Sequence, residues 1–252
     1  MTRQRLDEAL VAAGLFASRA RARDAIRRGT VAVDGRTEEK PARMVGPEAG
    51  FTVTDPAQHY VSRAALKLRH GLDHFGLSPR DKVCVDLGAS TGGFTQLLLE
   101  RGAARVMAVD VGHDQLAPML RADPRVAVHE GVNARSLTRN QVPETVGLIV
   151  SDLSFISLKL GLPPALDLSG AGTELVALIK PQFEVGREHL GKGGIVTARA
   201  QQQRVCTDIE AFLQARGWAV VGLTESPLTG GDGNREFLIA ARKVASGMRL
   251  EG

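Results

Sequence analysis

Cysteine is scarce here, aromatic residues are few, and long apolar runs are missing. Two cysteines, Cys84 and Cys206, cannot build a disulfide framework, and no Cys/His cluster has zinc spacing. Cys84 sits in an apolar run and reads as a core residue. A reducing cytoplasm is the expected setting, and no metal is expected. No stretch approaches the roughly 18 uncharged apolar residues of a membrane span, so no membrane partner is expected. The chain opens Met1-Thr2-Arg3-Gln4-Arg5 and runs straight into a charged helical pattern, so no signal peptide is expected. Eight Phe, one Tyr and one Trp argue against an aromatic platform for stacked bases. The net charge is only +4, but residues 1–50 carry ten Lys and Arg against seven acids. The basic excess is concentrated in a small N-terminal piece, which favours an acidic partner there.

The richest stretch is Val85-Asp86-Leu87-Gly88-Ala89-Ser90-Thr91-Gly92-Gly93-Phe94-Thr95. A β-branched run ends in an acid, passes a glycine-rich turn and opens onto an amphipathic helix. Glycines let a backbone approach a ligand, and a helix N-terminus offers unpaired N–H groups. Such a turn after a first parallel strand is where open α/β sheets bind nucleosides. The spacing is not G-x-G-x-x-G; D-x-G-x-S-x-G-G resembles motif I of S-adenosylmethionine (SAM) methyltransferases. The cofactor candidates here are Asp86, Gly88, Ser90, Thr91, Gly92, Gly93 and Phe94. Asp110 ends the next strand, about 20 residues on, where an acid binds ribose hydroxyls. A nicotinamide dinucleotide would use the same acid, so Asp110 supports a nucleoside without choosing it.

Residues 3–13 have helical spacing, stopped by Gly14; Ser18 is placed to cap a second helix through Arg28. Asp34-Gly35 reads as a hairpin turn, with further short strands at 42–45 and 51–53. Arg19, Arg23 and Arg27 form one row of the second helix; Arg21 and Arg28 form another, and only Asp24 on that helix offsets them. Arginine suits phosphate, and such a row predicts salt-dependent RNA binding. From Arg5 to Val53 the pattern R-L-D-x-x-L…G…S-R-x-x-A-x-x-x-I-x-x-G-x-V-x-V-D-G…K-P resembles the S4 RNA-binding domain. The RNA-binding candidates are Arg5, Arg19, Arg23, Arg27, Arg28 and Lys40.

Beyond a linker at 58–61, strands are expected near 82–87, 105–110, 125–129, 147–152, 174–180, 218–224 and 236–242. Helices are expected at 62–75, 93–101, 113–121, 134–140, 157–166 and 199–216. This alternation predicts a doubly wound, mainly parallel α/β sheet. The expected division is 1–57, a linker at 58–61, 62–244, and a tail at 245–252. Parallel strands end at one edge, so Asp152 and Lys180 point to the crevice holding the glycine loop. If the last strand is antiparallel, Glu236 begins at that same edge, and Lys67 can reach it from the first helix.

Lys67, Asp152, Lys180 and Glu236 match the Lys-Asp-Lys-Glu set of 2′-O-ribose methyltransferases related to the FtsJ group. A ribose hydroxyl is a poor nucleophile, so oxygen and methyl must be aligned in line at about 3 Å while a proton leaves. A neutral Lys180 can take that proton, with Asp152 and Lys67 steering it and Glu236 orienting Lys67 and the ribose. Asp152 also belongs to the cofactor set. With Tyr60–Leu68, Asp152–Ser157, Lys180–Gly186 and Gly193–Val196, almost the whole chain resembles the TlyA/haemolysin A family. The resemblance implies a small α+β S4 domain before a seven-stranded Rossmann-like methyltransferase sheet. It implies SAM as cofactor, ribosomal RNA as partner, and 2′-O-methylation of cytidines on one or both subunits. It adds Asn133 near the adenine. The family often carries Arg-Ala-Trp-Val in the linker, where this chain has Gln58-His59-Tyr60-Val61.

Two other readings remain open. One is a membrane-active haemolysin, which lacks a spanning segment here. The other is a catalytically silent rRNA-binding assembly factor, which would need the S4 domain but not the four catalytic types. A hydride-transfer enzyme fails on the glycine spacing.

Overall fold

The structure is a computed structural model that describes residues 3–245, the side chain of Arg187 excepted. Most of the tail expected at 245–252 lies outside the described residues. Two compact units divide between His59 and Tyr60.

The first unit contains β1 (Gln4–Arg5), α1 (Leu6–Ala12), α2 (Arg19–Arg27), β2 (Val31–Val33), β3 (Arg36–Thr37), β4 (Met44–Val45) and β5 (Phe51–Val53). The helix expected from residue 3 begins at Leu6, because Gln4 and Arg5 pair antiparallel with β4. β2 lies between β3 and β5, antiparallel to both. Ser18 caps α2 by accepting the Arg21 N–H at 3.3 Å. Asp34 and Gly35 take φ values of +51° and +76°, as a two-residue hairpin turn requires. Leu6, Leu10, Ile26, Val31 and Val33 form the apolar centre.

The second unit begins with α3 (Ala64–Phe75), then β6 (Val83–Leu87), α4 (Gly93–Glu100), β7 (Arg105–Val109), α5 (Pro118–Arg121), β8 (Val126–His129) and β9 (Leu148–Ser151). It continues with α6 (Leu158–Gly161), α7 (Pro163–Leu168), β10 (Glu174–Ile179), α8 (Arg199–Gln214), β11 (Trp218–Glu225) and β12 (Phe237–Lys243). One seven-stranded sheet runs in the order β11-β12-β10-β9-β6-β7-β8. β6 to β10 are parallel, and β12 lies antiparallel between β10 and β11.

Alternation along the strands wraps the sheet on both faces. Val85, Leu87, Ile149, Leu175 and Ile179 pack with Leu158, Leu162, Ile209 and Leu213 of α6, its following turn and α8. On the opposite face Asp86 accepts a hydrogen bond from Thr95 of α4, and Gly71 of α3 packs on Val176 and Leu238. Two expected helices shrink and a third divides. Residues 113–117 stay a loop because Pro118 disfavours helix in its predecessor, so α5 is one turn. The helix expected at 134–140 is a single 3-10 turn, Ala134–Ser136, capped by Asn133. The one at 157–166 divides into α6 and α7 where Pro163 and Pro164 remove backbone donors.

The register positions the chemistry. Ile179 faces Phe237 across the antiparallel pair, so the next residues toward the edge are Lys180 and Glu236. Ser151 is paired with Leu87, which brings Asp152 beside Gly88.

Candidate active site

Two cavities open at the edge where the parallel strands end. The larger, of about 550 Å³, is bordered by Gly88, Ser90, Asp110, Asn133 and Asp152, together with Val111, Gly112 and Gln115. The smaller, of about 440 Å³, is bordered by Lys180, Glu236, Gln182, Phe183 and Asp232. Ser154 and Phe155 border both.

The glycine loop closes against neighbouring loops. At Gly88 the φ is +84°, and a Cβ there would lie 2.8 Å from the Asp152 carbonyl oxygen. Only glycine permits that approach between the β6 and β9 ends. Asp110 accepts the Ser90 N–H at 2.8 Å and the Gly112 N–H at 2.7 Å. It therefore orders both sides of the cavity while keeping carboxylate lone pairs for further donors.

The other residues of the glycine motif are placed differently. Thr91 is exposed, and its carbonyl receives the Ala117 N–H. Gly92 lies under Leu116 and Leu120, and Gly93 under Ser62 and Ala65. Phe94 is buried in the core. Asp86 is fully buried and does not border the cavity; one of its oxygens accepts from Thr95 and the other has no partner. Burial pushes its carboxyl up to about 7.

All four catalytic candidates meet. Lys67 is buried and forms an ion pair with Glu236. The Lys180 amine lies 2.6 Å from Asp152 Oδ1 and donates to Ser154 Oγ at 2.7 Å. Burial pushes the Glu236 carboxyl above its ordinary range, against the pull of Lys67 and Lys180. The result is two neighbouring lysine–carboxylate pairs whose charges are shielded from water. A hydroxyl entering the smaller cavity would meet the Lys180 amine with a carboxylate behind it.

The cavity suits an adenosyl sulfonium ligand. Asp110 offers acceptors for a ribose diol, the close Gly88 turn admits a backbone-bound chain, and Asp152 places a carboxylate on the wall of the larger cavity. Among the described residues no group of three His, Cys, Asp or Glu could hold a metal ion. No described helix is long and apolar enough to cross a membrane.

Phe155 escaped the sequence reading. The residue is 91 % exposed, its φ is +63°, and its ring centroid lies 5.1 Å from that of Phe183. The small aromatic count had argued against a stacking surface, yet two phenylalanines stand together at the mouth of the smaller cavity. The available signal was their proximity in sequence to Asp152 and Lys180.

In the first unit the arginines divide. Arg5 and Arg19 bind the buried Asp7, and Arg19 also meets Glu8. Arg28 donates from Nη1 and Nη2 to the two oxygens of Asp55, both at 2.7 Å, and from Nε to Asp24. That guanidinium is committed within the unit. Arg23, Arg27 and Lys40 are exposed.

Two family models match this chain. The FtsJ-like methyltransferase model covers residues 60–243 and the S4 domain model residues 4–49. The chain is similar to the 16S/23S rRNA (cytidine-2′-O)-methyltransferase TlyA of Mycobacterium tuberculosis. They are 44 % identical over 241 residues, covering 95 % of this chain and 90 % of the relative. It is 38 % identical to hemolysin A of Brachyspira hyodysenteriae, covering 93 % and 98 % of the two chains. Among solved structures, one assigned to the hemolysins from Streptococcus thermophilus superimposes with a TM-score of 0.76 at 38 % identity. That match covers 97 % of this chain and 90 % of the other.

Proposed function

The chain belongs to the FtsJ-like methyltransferases that carry an S4 domain, the family of the TlyA proteins, and on that premise we propose that it methylates ribose 2′-hydroxyls of cytidines in ribosomal RNA. The substrate is 16S rRNA, 23S rRNA or both, and the reaction belongs in the cytoplasm. The observation that carries this reading is the meeting of Lys67, Asp152, Lys180 and Glu236 beside a nucleoside-sized cavity.

SAM supplies a methyl group already activated by its sulfonium. In the larger cavity Asp110 would hold the cofactor ribose, Asn133 would stand near the adenine, and the Gly88–Ser90 turn would admit the methionine end. The remaining work is positioning and proton removal. The acceptor 2′-hydroxyl enters the smaller cavity, and its proton passes to the Lys180 amine, after that amine has released a proton to solvent, as the oxygen gains the methyl. Asp152 holds the Lys180 amine in place and stabilises the ammonium that results. Glu236 and Lys67 lock one another and complete the wall that faces the ribose. The exposed ring of Phe155 offers the flat apolar surface on which the target base can rest.

Arg23, Arg27 and Lys40 give the first unit its RNA contact, with Arg5 and Arg19 held beside them by Asp7. Such contacts read shape and phosphate rather than base identity.

The test is transfer from labelled SAM to ribosomal subunits lacking the modification. Wild-type protein is expected to label RNA, and Lys180→Ala to bind SAM and RNA without labelling. Equal labelling by Lys180→Ala would remove the proposed base. Lysis of lipid vesicles without SAM would favour the haemolysin reading instead.

A further inference from the structure

The run Lys180-Pro181-Gln182-Phe183-Glu184 carries more than Lys180 and the two residues that border the smaller cavity. Besides Lys180, two of its side chains act on a second segment, residues 152–158, which leaves β9 and separates the two cavities. Ser154 and Phe155 face both sides of this partition. At its centre Phe155 takes a left-handed backbone, with φ at +63°. A large side chain persists there only when its surroundings over-determine it.

The restraint comes from both flanks. Upstream, Lys180 donates to Ser154 Oγ at 2.7 Å. Downstream, Ser157 Oγ donates to one Glu184 oxygen at 2.5 Å, and the Leu158 N–H donates to the other at 2.7 Å. Between them the Phe183 ring lies against that of Phe155. A single 3-10 turn, Pro181–Phe183, brings all three grips into place. Glu184 itself borders neither cavity. Its two acceptors match two donors, since Ser157 already accepts the Lys159 N–H as the cap of α6 and has its proton to give.

We propose that Glu184 is a positioning residue that clamps the 152–158 partition, so that cofactor and acceptor ribose meet across Ser154 and Phe155 in one fixed geometry. The inference rests on the methyltransferase reading above. Because the partition walls both cavities, releasing it loosens cofactor binding and slows transfer together. It leaves the RNA contacts of the first unit intact.

The test uses full-length protein, SAM and unmodified ribosomal subunits. SAM affinity is measured by calorimetry, and single-turnover methyl transfer at saturating SAM. Glu184→Ala is expected to weaken SAM binding about fivefold and to slow transfer about 30-fold, in keeping with a small misplacement of reacting atoms. Subunit affinity should stay within about twofold. Glu184→Gln, which keeps an acceptor for Leu158, should recover most of both losses. Ser157→Ala should show a smaller loss of the same kind and add nothing to Glu184→Ala. Wild-type SAM affinity and transfer in Glu184→Ala would overturn the clamp, as would fully additive losses in the double variant. If Glu184→Ala does not fold, wild-type behaviour of Ser157→Ala overturns it. Failure of the underlying function shows differently, because the wild type would then transfer no methyl.

Discussion

In the first unit, Asp55 is nearly enclosed yet faces a two-pronged Arg28 and the Ala57 N–H. Burial pulls its carboxyl up, but those donors win and hold it below the ordinary range. In the second unit, Asp86 is buried more deeply, with Thr95 as its side-chain donor and one bare oxygen, and burial wins. Glu184 and Glu236 are likewise raised, burial outweighing their donors. The binding unit keeps its structural acids ionised by committing arginines to them. The second unit keeps Asp86, Glu184 and Glu236 where ionisation is costly, and of these only Glu236 lies beside Lys67 and Lys180. The same residue type thus does opposite electrostatic work at Asp55 and Asp86, while in the second unit Arg125 and Arg121 still hold Asp123 and Glu130 low.

Substitutions that exchange the two environments test this contrast. The largest effect is expected at Asp152, the carboxylate paired with Lys180. Asp152→Asn should slow single-turnover transfer by about 10²- to 10³-fold, as for loss of a proton-handling group. Subunit binding should not change, and an unaffected rate would detach Lys180 from the chemistry.

Next comes the pH dependence of Asp86. Its folded pKa of about 7 lies above the unfolded value, so the folded protein holds the proton more tightly. Its contribution is present in full below the unfolded value and is lost as pH rises from about 4 to 7, at roughly 1.4 kcal/mol per unit at the steepest. Asp86→Asn should flatten that decline in urea titrations. Asp55 carries the opposite sign: its contribution is present above the unfolded pKa and fades as pH falls through the lowered one.

A third substitution separates the two kinds of arginine. Arg28→Met leaves Asp55 without its main partner and should destabilise the first unit by about 2 kcal/mol. Amide exchange in α2 and β5 of the full chain reads that loss, while the salt dependence of RNA binding stays near wild type. The smallest effect is the mirror case. Changing both Arg23 and Arg27 to Gln should weaken subunit binding about tenfold and reduce the salt slope by about 1.5 to 2. Melting and transfer on bound subunits should be untouched.

Much of the fold is legible in sequence because burial on both faces leaves continuous apolar strands, each ending in a distinctive residue. Asp152 and Lys180 reach the edge by strand direction, and Glu236 joins them only because β12 runs antiparallel, as the family resemblance implied. Lys67 looks like a surface lysine on its own helix; its burial comes from Glu236, 169 residues away. The acids that consume Arg28 and Arg19 are hidden for the same reason, since Asp55 and Asp7 reach α2 from other segments. Phe155 reads as one more apolar residue, because nothing local announces a left-handed loop held from the Lys180–Glu184 turn. The shortened helix at 118 and the division at 163 were signalled by their prolines.

The central claim is that this edge alkylates a ribose oxygen. Unmodified ribosomal subunits incubated with SAM and the wild-type protein, then digested to nucleosides and resolved by mass spectrometry, test it most directly. The account predicts a new cytidine carrying its methyl on the ribose. A methyl group on the base would contradict it, as would unmodified RNA from a protein that binds both partners.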